Sequence, residues 1–192
     1  MIPRLVVASK NPDKISEIEA ILDESKLTGE VVRGLEWPDV AETGETLEEN
    51  ALLKAHAVVA ATGLPVIADD TGLEVHALDG APGVHTARFA GDGARYEDNV
   101  AKLVEVMAGQ DDRRATFRTV VALVFPDGVE VIAEGRLDGV IGTEPRGSDG
   151  FGYDPVFIVD GDRSLAELGT DEKNQVSHRA RAIRALVDSV SQ

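Results

Sequence analysis

Val66-Ile67-Ala68-Asp69-Asp70-Thr71-Gly72-Leu73 decides the fold class. Val66, Ile67 and Ala68, set off by Pro65, read as a short apolar strand of the buried kind found in α/β sheets. The strand runs straight into two adjacent carboxylates and a Thr-Gly pair. Open α/β sheets bind ligands beyond the C-terminal ends of their strands, so Asp69 and Asp70 stand where a ligand would be met. Two close acids can hold Mg²⁺ or divide into a metal ligand and a general base, while Thr71 and Gly72 allow close backbone approach. The same residues also fit an ordinary turn with an Asx cap.

Working outward, Thr46-Leu47-Glu48-Glu49 fits a capping box that starts a helix, and Gly63 and Pro65 end it. The capping box already explains Glu49. A polar loop from Glu36 to Glu45 precedes that helix and carries Glu42, a further possible ligand. Leu5-Val6-Val7-Ala8 reads as the first strand, followed by Ser9-Lys10-Asn11, Pro12 at a first helical position, and Ile15, Ile18 and Leu22 at helical spacing. A second short strand is expected near Val31-Val32. Downstream, a Gly- and Pro-rich loop runs from Asp79 to Gly93, and Val100, Leu103, Val104 and Met107 mark a helix. Thr116 to Phe125 and Val129 to Ala133 alternate around Pro126-Asp127-Gly128, which predicts a long β-hairpin. A loop from Gly142 to Phe157 follows, and a last helix from about Ser177 carries Ile183, Leu186, Val187 and Val190 on one face. No repeat or linker-like tract divides the chain, so residues 1–192 are expected to form one α/β domain with a mixed sheet.

The composition, with 43% hydrophobic and 28% charged residues, is that of a globular protein. The absence of cysteine excludes disulfides, a thiolate nucleophile and a thiolate zinc site, and suits the cytoplasm. No apolar run approaches a signal sequence or a membrane span. A net charge of −16 opposes binding to nucleic acid, so any phosphate must be bound locally, by a few cations and a metal.

Three stretches could supply that chemistry. Ser9-Lys10-Asn11-Pro12-Asp13-Lys14 joins a strand to a helix N-terminus, where backbone N–H groups and the dipole favour an anion; equally, Asn11 could be a plain N-cap. Gly150-Phe151-Gly152-Tyr153-Asp154-Pro155 would hold a ring at a tight turn, able to stack on a base or to plug the core. Ser177-His178-Arg179 sets two basic residues against the dipole at a helix start, a hint of an anion nearby. Lys173 and Arg179 are candidate phosphate or base contacts, and His178 could donate to a keto oxygen.

Taken in order, seven stretches carry a resemblance along nearly the whole chain. They are Ala8-Ser9-Lys10-Asn11 with Lys14; Glu42-Thr43-Gly44 with Glu49-Asn50-Ala51 and Lys54-Ala55; Ala68 to Leu73; Gly80-Ala81-Pro82-Gly83-Val84 leading to Ala87-Arg88; Pro145-Arg146-Gly147; Gly150 to Phe157; and Ser177-His178-Arg179. The sequence resembles the inosine triphosphate pyrophosphatases, also called XTP/dITP diphosphatases. The resemblance implies a two-lobed α/β fold around a long curved mixed sheet with flanking helices, a nucleotide in the cleft between lobes, and a homodimer. It implies Asp70 as proton acceptor and metal ligand, with Glu42 and Asp69 at the metal. It further implies phosphate contacts from Ser9, Lys10, Asn11, Lys14, Thr71 and Lys173, and a base pocket of Phe151, Gly152, Tyr153, Asp154, His178 and Arg179. Two positions depart from many relatives: Ala41 precedes Glu42 where a second glutamate is common, and His85 stands where an aromatic residue is usual.

The implied activity is hydrolysis of ITP, dITP and XTP to the monophosphate and pyrophosphate, with Mg²⁺ and with Asp70 activating a water against the α-phosphorus. Donors aimed at the purine keto oxygen would reject adenine, whereas rejection of GTP needs a feature beside that group. A haloacid-dehalogenase-type phosphatase fails on spacing, because its second acid lies two residues after the first. A catalytically silent nucleotide sensor is the remaining alternative.

Overall fold

The first strand is shorter than its apolar run: β1 is Val6–Val7, and Val31 makes only an isolated bridge to Leu5 in place of the second strand expected there. The computed structural model describes residues 1–191. Pro12 opens α1 (Pro12–Ser25), and Thr46 caps α2 (Leu47–Thr62) through the expected capping box with Glu49. The second strand, β2, spans Val66–Val75 and does not stop at the acids. Asp69 to Gly72, which also fitted a turn, are extended strand, because Leu73 and Val75 are buried core residues that carry the chain onward. Successive side chains of a strand point to opposite faces. Asp69 and Asp70 are therefore not a side-by-side pair.

The remaining elements are β3 (Pro82–Gly83), α3 (Tyr96–Val106), β4 (Arg114–Val124), β5 (Glu130–Ile141), β6 (Phe157–Val159), β7 (Arg163–Ser164), α4 (Thr170–Val176) and α5 (His178–Val190). The expected hairpin is β4 and β5, whose return strand continues to Ile141 through two glycines that mask its alternation. The short helix α4 was not legible, since Thr-Asp-Glu-Lys-Asn-Gln-Val has no apolar stripe. The strands form a seven-stranded sheet in the order β1, β2, β4, β5, β6, β7, with β3 also on β2. It is mixed: β1 pairs with β2 in parallel, while β2 with β3, β5 with β6 and β6 with β7 are antiparallel. No helix among the described residues is long and apolar enough to cross a membrane.

The chain packs as two compact units. The first comprises Met1–Asp70, Thr119–Gly135 and the segment from His178 onward; the second comprises Thr71–Arg118 and Arg136–Ser177. In the first unit α1 packs on α5. Ile18, Ile21 and Leu22 of α1 join Leu5, Ile67, Val121, Leu123, Ile183 and Leu186 in one core. The core of the second unit gathers Leu73, Leu103, Met107, Ile141 and Leu165 around Phe117 and Phe157, whose ring centroids are 4.6 Å apart.

Gly135 sets how closely β5 approaches α5. A Cβ there would lie 2.1 Å from the His178 carbonyl oxygen and 2.3 Å from the Ala182 nitrogen, backbone atoms that cannot swing away. Gly135→Ala should therefore lose about 2–3 kcal/mol, a fall in Tm on the order of 5–10 °C. A thermal melt checks this, and an unchanged Tm would contradict the close approach.

Candidate functional site

In the first unit several N–H groups around the start of α1 are already engaged. Asn11 Oδ1 accepts from the Asp13 and Lys14 backbone nitrogens at 2.9 and 3.4 Å, and the Asn11 N–H donates to Ser9 Oγ at 3.2 Å. The N-cap reading of Asn11 holds. Lys10 is ion-paired with Asp39, and Lys14 Nζ lies 3.2 Å from Asp69 Oδ2. A cavity of about 330 Å³ is lined by Ser9, Lys10, Asn11, Lys14, Glu42 and Asp69, bringing four expected phosphate residues together with two expected metal residues. Lys54 lines it too.

The two aspartates have opposite surroundings. Asp69 is buried, and its Oδ2 meets Lys14 and, at 3.2 Å, the Nε and Nη2 of Arg179. Burial alone would raise its pKa, but Lys14, Arg179 and Lys54 together outweigh it and hold the carboxyl well below the usual carboxylate range. Asp69 is a committed anion inside a cationic cage. Asp70 lies in the opposite direction: its Oδ1 is 3.4 Å from Lys54 Nζ, and its buried Oδ2 has no hydrogen-bond partner among the described residues. Burial raises its pKa, and the neighbouring cations Lys54 and Lys14 do not fully offset this. Lys54 Nζ also donates to Glu42 Oε1 at 2.6 Å, so Glu42 and Asp70 converge on one ammonium.

Among the described residues no three His, Asp or Glu side chains cluster as metal ligands. The convergence of Glu42 and Asp70 on a cation, with an unpartnered buried carboxylate oxygen beside it, still fits a site for Mg²⁺. That ion takes one or two carboxylates and completes its shell with water and substrate phosphates. The expected third ligand, Asp69, is spent on Lys14 and Arg179.

Arg179 and His178 also differ from expectation. Arg179 is 2% exposed and pairs with Asp69 and, through Nη1, with Glu17 of α1. The anion hinted at by two basic residues at a helix start is thus the protein's own. His178, also buried, lies with Nδ1 2.6 Å from Thr119 Oγ1. Glu17 and Thr119 were not legible in the sequence, and Lys54 stood there only as part of a motif, without a role. A signal for Lys54 existed: it falls on the face of α2 that buries Asn50, Ala51, Ala55 and Val58, where an unpaired lysine is not tolerated.

In the second unit the Gly150 to Pro155 turn is held by Asp154. Its Oδ2 accepts from the Phe151 N–H at 2.8 Å and from Lys173 Nζ at 2.5 Å. Gly150 has φ +75°, a conformation strained for other residues, and a Cβ there would also sit 2.2 Å from that oxygen and displace the Asp154 carboxylate. Lys173 Nζ lies 4.8 Å from the centre of the Phe151 ring, so within this unit the lysine stands with the expected base residues. Tyr153 is core: it is buried, and its hydroxyl donates to the Thr86 carbonyl at 2.9 Å. Phe151 and Gly152 line a cavity of about 620 Å³ together with Tyr96, whose ring is 5.8 Å from that of Phe151. Thr71 continues β2 at the start of this unit. His85 serves no aromatic packing; its Nδ1 is 3.1 Å from Arg88 Nη2.

The chain is similar to known proteins along nearly its whole length. A dITP/XTP pyrophosphatase of Porphyromonas gingivalis is 50% identical over 191 residues, covering 96% of this chain and 96% of the relative. Another from Streptomyces avermitilis is 47% identical over 196 residues, covering 97% and 96%. The solved structure of the Staphylococcus aureus Ham1 protein superposes with a TM-score of 0.85 at 39% identity, covering 98% of each chain. Residues 5–189 match the model of the Ham1 family, and the chain belongs to that family.

Proposed function

We propose that this chain hydrolyses dITP, ITP and XTP to the nucleoside monophosphate and pyrophosphate, with Mg²⁺ held by Glu42 and Asp70. The near full-length relatives named dITP/XTP pyrophosphatases support the reaction. The observation that carries it is Asp70: a buried carboxylate with one oxygen unpartnered and the other sharing Lys54 with Glu42. When bound, the metal supplies charge neutralisation on the phosphate oxygens and on the departing pyrophosphate. Asp70 takes a proton from water as the water oxygen bonds to the α-phosphorus. The bridging P–O bond breaks, and its electron pair leaves with pyrophosphate. Lys10, Lys14 and Lys54 exchange their carboxylate partners for phosphate oxygens, with Ser9 and Asn11 beside them; Thr71 is assigned to the same phosphates. The protein works as a homodimer on the cytoplasmic nucleotide pool.

The base is assigned to Phe151 as the stacking surface, with Gly152, Asp154 and Lys173 shaping its turn, and to His178 as the donor to a keto oxygen. A Thr119 hydroxyl that donates to Nδ1 puts the ring proton on Nε2, the donor such an oxygen needs. Thr119→Val should raise KM for ITP about five- to tenfold, in line with one lost hydrogen bond of about 1 kcal/mol. Steady-state kinetics check this, and an unchanged KM would remove His178 from base recognition. The activity itself is tested by product analysis on ITP, XTP, GTP and ATP with and without Mg²⁺. Mg²⁺-dependent pyrophosphate release favouring ITP and XTP is expected. Tight ITP binding without turnover would make the protein a sensor.

A further inference from the structure

The carboxylates of Glu42 and Asp70 already hold a cation, and it is covalently part of the chain. Lys54 Nζ lies 2.6 Å from Glu42 Oε1 and 3.4 Å from Asp70 Oδ1, and its side chain is only 13% exposed. It faces both carboxylates at ion-pair distance, where opposite charges favour the charged form of an amine. Asp69 is neutralised by Lys14 and Arg179, which leaves Lys54 as the counter-charge of the Glu42 and Asp70 pair. Two acids and one lysine carry a net charge of −1, a weak attraction for a divalent ion that must shed water to enter. The same acids without the ammonium carry −2.

We propose that Lys54 occupies the cation site of the nucleotide-free protein and yields it only when a triphosphate arrives to take its charge. This inference rests on the assignment of Glu42 and Asp70 as metal ligands. Its consequence is an order of events: free metal binds the protein poorly, and metal and triphosphate enter together. The arriving phosphates supply both a new partner for the ammonium and the ligands that Glu42 and Asp70 alone lack. Lys54 then contributes twice, by keeping the acid pair from repelling itself and by transferring its charge to the phosphate.

The test is binding of Mn²⁺ alone to the full chain, read by the loss of the free-ion electron paramagnetic resonance signal. Wild type, Lys54→Met, Lys54→Arg and the double variant Lys54→Met with Glu42→Gln are compared. Lys54→Met should bind Mn²⁺ at least tenfold more tightly than wild type, Lys54→Arg should bind like wild type, and the double variant should lose the gain. Because Lys54→Met leaves two acids facing each other, its Tm should also rise more steeply with Mn²⁺ than that of wild type. Equal or weaker Mn²⁺ binding by Lys54→Met, in a variant that melts cooperatively, overturns the proposal. A gain that survives Glu42→Gln is a different failure: it places the metal elsewhere and overturns the ligand assignment on which the proposal rests.

Discussion

Asp70→Asn should lower kcat on ITP about 10²- to 10⁴-fold, the range expected when a general base is removed, with KM changed little. The amide keeps the shape of the side chain and an oxygen for Lys54, so the fold should survive. It should even melt higher. Burial raises the folded-state pKa of Asp70, and a carboxyl with a raised folded value opposes folding when ionised. The sign is fixed by linkage: its unfavourable contribution is absent below the unfolded value of about 3.9 and grows as pH rises through the folded value. The Tm advantage of Asp70→Asn should therefore be present at pH 7 and vanish near pH 4. Kinetics and melting curves at the two pH values check both halves. Retention of more than a tenth of kcat would move the base elsewhere.

Arg179→Met should be the most damaging change to stability. Its guanidinium is enclosed with the carboxylates of Asp69 and Glu17, which are 1% and 11% exposed. Removing one partner of a buried ionic group leaves uncompensated charge, a loss of about 3–5 kcal/mol and a fall in Tm on the order of 10 °C. Asp69 adds a pH signature. Its pKa is held well below the ordinary range, since Lys14, Arg179 and Lys54 outweigh burial. A depressed carboxyl contributes stability that is fully present above its unfolded value of about 3.9 and is lost as pH falls toward the folded value. Without Arg179 that contribution shrinks, so the gap in Tm between wild type and Arg179→Met should narrow from pH 7 to pH 3. A gap that does not change with pH would contradict the role given to the pair.

Much of the fold was legible because it rests on local rules. The capping box at Thr46 and Glu49, Pro12 at the start of α1 and the Pro126-Asp127-Gly128 turn each satisfy the backbone nearby, and each appears where expected. The acid motif was legible as chemistry but not as geometry. Asp69 to Gly72 has turn residues, yet burial of Leu73 and Val75 keeps β2 extended and sends the two aspartates to different partners. What the sequence hides is pairing between distant elements: Arg179 with Asp69 and Glu17, Lys54 with Glu42, and Lys173 with Asp154. Each is a charge whose role depends on which opposite charge the fold brings to it. Arg179 therefore read as an anion ligand when it is a buried strut. Tyr153 read equally well as base contact or core, and its bond to Thr86, far off in sequence, decides for core.

The measurement that bears most directly on the central claim is the fate of the attacking oxygen. A turnover of ITP with Mg²⁺ in ¹⁸O-labelled water, analysed by mass spectrometry, should put one heavy oxygen in the monophosphate and none in pyrophosphate, because water attacks the α-phosphorus. Label in pyrophosphate, or release of orthophosphate, would contradict the account.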